Sequence, residues 1–77
     1  MQIQVYAILK DYFEKDFTVE ETANTIESLN TILIQRNPAA KDILAGCRYA
    51  VNDHFVDNQF QLQPNDSIHI IPPSSGG

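Results

Sequence analysis

The hydrophobic period changes twice along this chain of 77 residues, from two to three or four and back to two. That double switch limits the fold more than any other feature. A period of two belongs to a strand with one buried face, and a period near 3.6 to a helix with one buried stripe. From Gln2 onward, Ile3, Val5, Ala7 and Leu9 alternate with Gln2, Gln4 and Tyr6 and predict a strand over residues 2–9. A charged stretch containing Lys10, Asp11, Glu14 and Lys15 follows. Alternation resumes at Phe17 and Val19, which predicts a shorter second strand and a hairpin with a longish connection. Ile26, Leu29, Ile32 and Leu33 then recur at helical spacing, with Thr25 or Asn24 available as N-cap. Pro38 lacks an amide hydrogen and biases Asn37 away from helical angles, so the helix is expected to stop near Arg36. A short helical turn over Ala39–Ala45 is expected next, closed by Gly46 in the left-handed conformation. Cys47–Asn52 reads as a strand, Asp53-His54 as a turn, Phe55-Val56 and Phe60–Leu62 as short apolar runs, and Asn65-Asp66 as a turn before a last strand, Ser67–Ile71.

A single amphipathic helix and a sheet with one apolar face can bury those surfaces only against each other. The order of elements therefore predicts an α+β chain of the β-grasp type, a mixed sheet covered on one face by one main helix. The folded domain is expected over residues 1–71, with 72–77 as a flexible, extended tail. A chain this short buries roughly 60% of the surface its unfolded form exposes, which leaves little room for an enclosed site beside the core. Self-contained catalysis is not expected, nor is a cofactor or metal site within the chain.

Ten acidic against five basic residues give a net charge of -5, which repels nucleic acid and anionic membranes and favours a protein partner with a basic face. The one cysteine, Cys47, excludes an intramolecular disulfide. No charged segment leads into an apolar stretch of signal-peptide length, and apolar runs such as Tyr6-Ala7-Ile8-Leu9 fall far short of the roughly 20 residues that cross a bilayer. A soluble, cytoplasmic protein is expected.

Residues that could carry chemistry are few. A lone strand cysteine is most often a small buried hydrophobe, and only Arg48 adjoins Cys47 to depress its pKa. Asp53, His54 and Asp57 lack the ligand number and spacing of a structural metal site and read as a solvated turn. His69, on the outward phase of the last strand, has no orienting acid and suits partner contact better than proton transfer. Glu14, Asp16, Glu20 and Glu21 read as a solvated edge. Ile8 and Ile71 stand on the polar phase of the first and last strands, and Phe55 lies in or just after a turn. The three together predict an apolar patch on the sheet face that the helix leaves open.

The last strand runs directly into Pro72-Pro73-Ser74-Ser75-Gly76-Gly77, two residues that cannot extend a ladder followed by four with almost no side chain. Fully extended, six residues reach roughly 20 Å at about 3.3 Å each. Paired glycines at the end allow a carboxylate to enter a channel with backbone on all sides.

With that tail, Ala50-Val51-Asn52 closing a strand, the apolar Phe55 or Val56, Leu62, the Asn65-Asp66 turn, Ile68 and Ile70, the chain resembles the small subunit of molybdopterin synthase, the MoaD-like branch of the ubiquitin-like sulfur carriers. Family members often have glycine before the Asp of the last turn. Here Asn65 stands in that place, and Asn shares much of glycine's tolerance of left-handed angles. Pro72-Pro73 favours the molybdopterin branch over the thiamine-pathway carriers.

The resemblance implies that a partner activating enzyme, using its own ATP and Mg²⁺, adenylates the Gly77 carboxylate. A sulfur donor protein then supplies the thiocarboxylate, which the large subunit consumes in a heterotetramer, passing sulfur to a pterin precursor. It assigns tail clearance to Gly76, and contact with partners to Pro72, Pro73, Ser74 and Ser75 together with Ile8, Phe55 and Ile71. With Gly46 the only glycine outside the tail, the chain has no glycine-rich phosphate loop to bind nucleotide. A thiamine-pathway carrier, a ubiquitin-like protein modifier and a non-covalent β-grasp binding module remain as alternatives.

Overall fold

The computed structural model describes residues 1–73. Five strands form one sheet: β1 (Gln2–Val5), β2 (Asp16–Thr18), β3 (Arg48–Val51), β4 (His54–Val56) and β5 (Ser67–Ile71), in the order β2-β1-β5-β3-β4. The central pair β1/β5 is parallel and the other pairings are antiparallel, so the sheet is mixed. The main helix, α1 (Ile26–Arg36), packs on one face, and a single-turn helix, α2 (Lys41–Ala45), leads into β3. This is the β-grasp arrangement that the change of period predicts.

The core follows from the pleat. Ile3 and Val5 of β1, Ile68 and Ile70 of β5, and Tyr49 and Val51 of β3 point to one side and meet Ile26, Leu29 and Leu33 of α1. Thr25 caps α1, its side-chain oxygen accepting from the Ser28 amide at 3.1 Å. The helix ends at Arg36, where Asn37 is extended and its side-chain oxygen accepts from the Ala39 amide at the start of a 3-10 turn, Pro38–Ala40. Tyr49 reaches into the core but satisfies its hydroxyl by donating to Asn30 Oδ1 of α1 at 2.8 Å. Its burial pushes the phenol pKa upward.

Several sequence expectations are corrected. The first strand does not run to residue 9: it ends at Val5, and Ala7, at φ 54°, turns the chain into a 3-10 helix over Ala7–Asp11. The pairing with β2 covers only three residues, and the left-handed angle of Ala7 takes the chain off the sheet although β5, the other neighbour of β1, runs on to Ile71. Leu9, fully buried, plugs the end of the core instead. Gly46 is not left-handed, with φ -98° and ψ 0°. The hairpin turn falls on Asn52-Asp53, whose φ values of 50° and 73° mark a two-residue turn matched to the twist of its strands. Phe60–Leu62 forms no strand beyond a single bridge from Gln61 to Thr25. The turn before β5 falls on Pro64-Asn65, closed by the Asp66 amide donating to the Gln63 carbonyl.

Candidate functional site

Opposite α1 lies a sheet face that no helix among the described residues covers. The register carries one row across it: Gln4 beside His69, His69 beside Ala50, Ala50 beside Phe55. Ile71 continues the outward phase of β5, opposite Arg48 on β3. Small Ala50 between larger neighbours makes a hollow of about 250 Å³ lined by Tyr6, Ala50, Asp53, Phe55, His69 and Ile71. The floor and walls are mostly apolar. Phe55 is 56% exposed, so its ring is presented rather than packed.

Polar groups fix the walls. The Tyr6 hydroxyl and His69 Nδ1 share a 2.7 Å hydrogen bond, and their rings stack with centroids 5.7 Å apart. The Arg48 guanidinium lies 3.9 Å from the centroid of Phe55, a cation–π contact that steadies the ring. Asn52 and Asp66 hold the hairpin against the start of β5. Asn52 Nδ2 donates to Asp66 Oδ1 at 3.1 Å, and the Gln63 amide donates to Asp66 Oδ2 at 2.7 Å. Asp66 is the buried charged residue among the described residues, and these donors satisfy it.

Of the sequence-predicted patch, Phe55 and Ile71 share this hollow. Ile8 does not line it. Ile8 is half exposed, but on the 3-10 helix after β1, because the chain has already left the sheet at Ala7. Tyr6 takes its place. Tyr6 was legible as the next outward position after Gln2 and Gln4, whereas the contributions of Ala50, Asp53 and Arg48 depend on register. His69 lies on the outward face as its phase predicts.

Pro72 and Pro73 follow β5, and Pro73 lies beside Gly46. Ser74, Ser75, Gly76 and Gly77 lie outside the described residues. Cys47 is half-buried, its thiol donates to the Ile43 carbonyl at 3.1 Å, and burial pushes its pKa up to about 11. This is the environment of a structural thiol and not of a nucleophile. Asp53, His54 and Asp57 do not converge: among the described residues, no three of His, Cys, Asp and Glu gather as a metal site. Glu21 pairs with Arg36 at 2.9 Å at the surface, and hydrogen bonds from its own backbone amide and from Arg36 hold its carboxyl below the usual range. A larger hollow, about 340 Å³, opens between Met1, Val19, Ala23 and Leu62. It lies near the start of β1, at the opposite end of the central strand pair from the prolines. Among the described residues no helix is long and apolar enough to cross a membrane.

A sequence model described as the ThiS family matches residues 3–77. The molybdopterin synthase sulfur carrier subunit of Chlamydomonas reinhardtii is 35% identical over 66 residues, 83% of this chain and 78% of that protein. The complex of subunits 1 and 2 of the molybdopterin-converting factor from Helicobacter pylori contains a chain of similar structure, with TM-score 0.71 and 31% identity, covering 99% of this chain and 96% of that one. Small archaeal modifier protein 1 from Methanosarcina acetivorans, with TM-score 0.84 over 99% of this chain and 94% of its own, is 17% identical and shares the fold.

Proposed function

Since this chain belongs to the ThiS family, we propose that it is the sulfur carrier subunit of a molybdopterin synthase, with its reactive group on Gly77. The observation that carries the reading is the family match running through residue 77, joined to a curated relative that is itself a molybdopterin synthase sulfur carrier subunit. The structure supplies what such a carrier needs. The folded domain holds the central strand β5, which leads without a loop into Pro72-Pro73, and the glycine pair follows in the sequence.

In this reading the activating enzyme binds ATP and Mg²⁺ and joins the Gly77 carboxylate to AMP with release of pyrophosphate. Hydrosulfide released by a donor protein then attacks the acyl carbon, AMP leaves with the electron pair of its bond to that carbon, a proton is lost, and a thiocarboxylate remains for transfer to the pterin precursor. Apart from the Gly77 carboxylate, which takes part in each of these bonds, this chain's residues present the reacting group and do not themselves react. Gly76 keeps the approach narrow, and residues 72–75 span the distance from the domain to the partner's active site. The open sheet face around Phe55, Ile71, Tyr6 and His69 is the surface for the large subunit. In Helicobacter pylori, a chain of this shape is found in a complex of subunits 1 and 2.

Intact mass measurement of the chain from its native cells tests the reading. A species heavier by the exchange of one oxygen for sulfur is expected. Conjugates to other proteins would instead establish the modifier reading, which uses the same tail. Deleting Gly77, adding a residue after it, or making Gly76→Val is expected to abolish adenylation while leaving the melting temperature unchanged. Normal adenylation in all three folded variants would overturn both readings and leave a non-covalent binding module.

A further inference from the structure

Arg48 places a permanent positive charge among the apolar residues of the open face. It stands opposite Ile71 in the pairing of β3 with β5, and its guanidinium lies 3.9 Å from the centroid of the Phe55 ring. The remaining basic residues lie elsewhere: Lys10 on the 3-10 helix after β1, Lys15 just before β2, Arg36 at the end of α1 and Lys41 at the start of α2. Arg36 is paired with Glu21, whereas among the described residues no carboxylate pairs with Arg48. Asp53 lines the same hollow and makes no ion pair with it.

A partner that covers Phe55 and Ile71 also strips water from the guanidinium beside them. Arginine keeps its proton in proteins, so the charge stays when the water goes. A charge held in an apolar contact without a counter-ion is strongly unfavourable, and a carboxylate accepting from the guanidinium N–H groups offsets that penalty. The contact with Phe55 meanwhile steadies the long side chain, so less rotamer freedom is lost when those groups engage.

We propose that Arg48 is a specificity-determining residue of the docking face, and that the large subunit places an Asp or Glu carboxylate on it. The identity of the occupant rests on the carrier function proposed above. With a net charge of -5 the chain draws in a partner of basic face, but at this corner the complementary group is acidic. That exception fixes the register in which the two surfaces meet, because a displaced partner sets its basic groups against Arg48.

The sign of the charge separates this role from general attraction. Arg48→Gln makes the chain more negative, so its association with the cognate large subunit is expected to stay within about twofold of wild type or to quicken, while dissociation quickens by about tenfold or more. Lys41→Gln, which removes a positive charge from α2, is expected to dissociate like wild type. Both side chains are exposed, so both variants are expected to keep the melting temperature of wild type.

Surface plasmon resonance reads both rates, and a second series finds the partner group. Each Asp→Asn and Glu→Gln variant of the large subunit is measured against wild type and against Arg48→Gln. One of them is expected to weaken binding to wild type and to have little further effect on Arg48→Gln, a coupling of about fivefold or more. Wild-type dissociation in Arg48→Gln, a loss confined to association, or the absence of any coupled acid would each overturn the proposal and leave the carrier function standing. A wild-type chain that binds no large subunit would sink that function, and the docking role of Arg48 with it.

Discussion

At the scale of single residues, chemistry here is suppressed more than it is prepared. Cys47 is the only thiol, and burial with donation to the Ile43 carbonyl keeps it protonated. Its alkylation by iodoacetamide at pH 8 is expected to be slower than that of free cysteine. Cys47→Ala is expected to retain sulfur transfer, and loss of transfer in the folded variant would overturn the structural reading. The raised pKa also has a sign. The folded state favours the neutral thiol, so its contribution to stability is complete below the ordinary value of 9.0 and is lost as pH rises toward about 11. Tyr49, shifted in the same direction, adds its own loss above 10.0. Urea midpoints from pH 8 to 11 in wild type and Cys47→Ala isolate the thiol's share, and parallel curves would refute it. Asn52 does two structural jobs, holding a left-handed angle and donating to Asp66. Asn52→Ala is expected to cost about 2 kcal/mol, a fall in Tm of roughly 10 °C. Asn52→Gly, which frees the backbone but deletes the amide, is expected to cost about half as much. Unchanged stability in Asn52→Ala would remove both roles.

At the scale of elements, each strand has one committed and one available face. β5 shows this most sharply, with Ile68 and Ile70 fully buried while His69 and Ile71 face out. The outward set joins Phe55 from β4 and Tyr6 from the end of β1 in one hollow, and a partner that covers it removes apolar surface from water. Phe55→Asp and Ile71→Asp put an unpaired charge there. Each is expected to weaken large-subunit binding by several kcal/mol without unfolding the domain. Titration calorimetry on folded variants is the measurement, and unchanged affinity in both would exclude this face. Ile8→Asp is the informative control. Ile8 lies outside the hollow, and its substitution is expected to change affinity less than either of the others.

At the scale of the whole molecule, a net charge of -5 on a small domain acts at a distance. Association with a partner of basic face is expected to slow by on the order of tenfold from about 20 to about 500 mM salt, with dissociation changing by less than about threefold. An association rate indifferent to salt would contradict a basic partner. The sequence by itself determined the order of the main strands and the helix, the buried positions Ile3, Val5, Ile26, Leu29, Leu33, Ile68 and Ile70, and the stop of α1, and it narrowed the N-cap to Asn24 or Thr25. Each of these depends on neighbours within a turn of helix or a pleat of strand. It also carried the tail motif, which needs no partner to be read. The tertiary structure decided where β1 ends, because that depends on the left-handed angle of Ala7 and on Leu9 filling the end of the core. It also decided which outward residues share a hollow. Tyr6 meets His69 across 63 positions of sequence, Asn52 meets Asp66 across 14, and Pro73 meets Gly46, contacts that the pairing of β5 with β1 and β3 brings together and that no local period encodes.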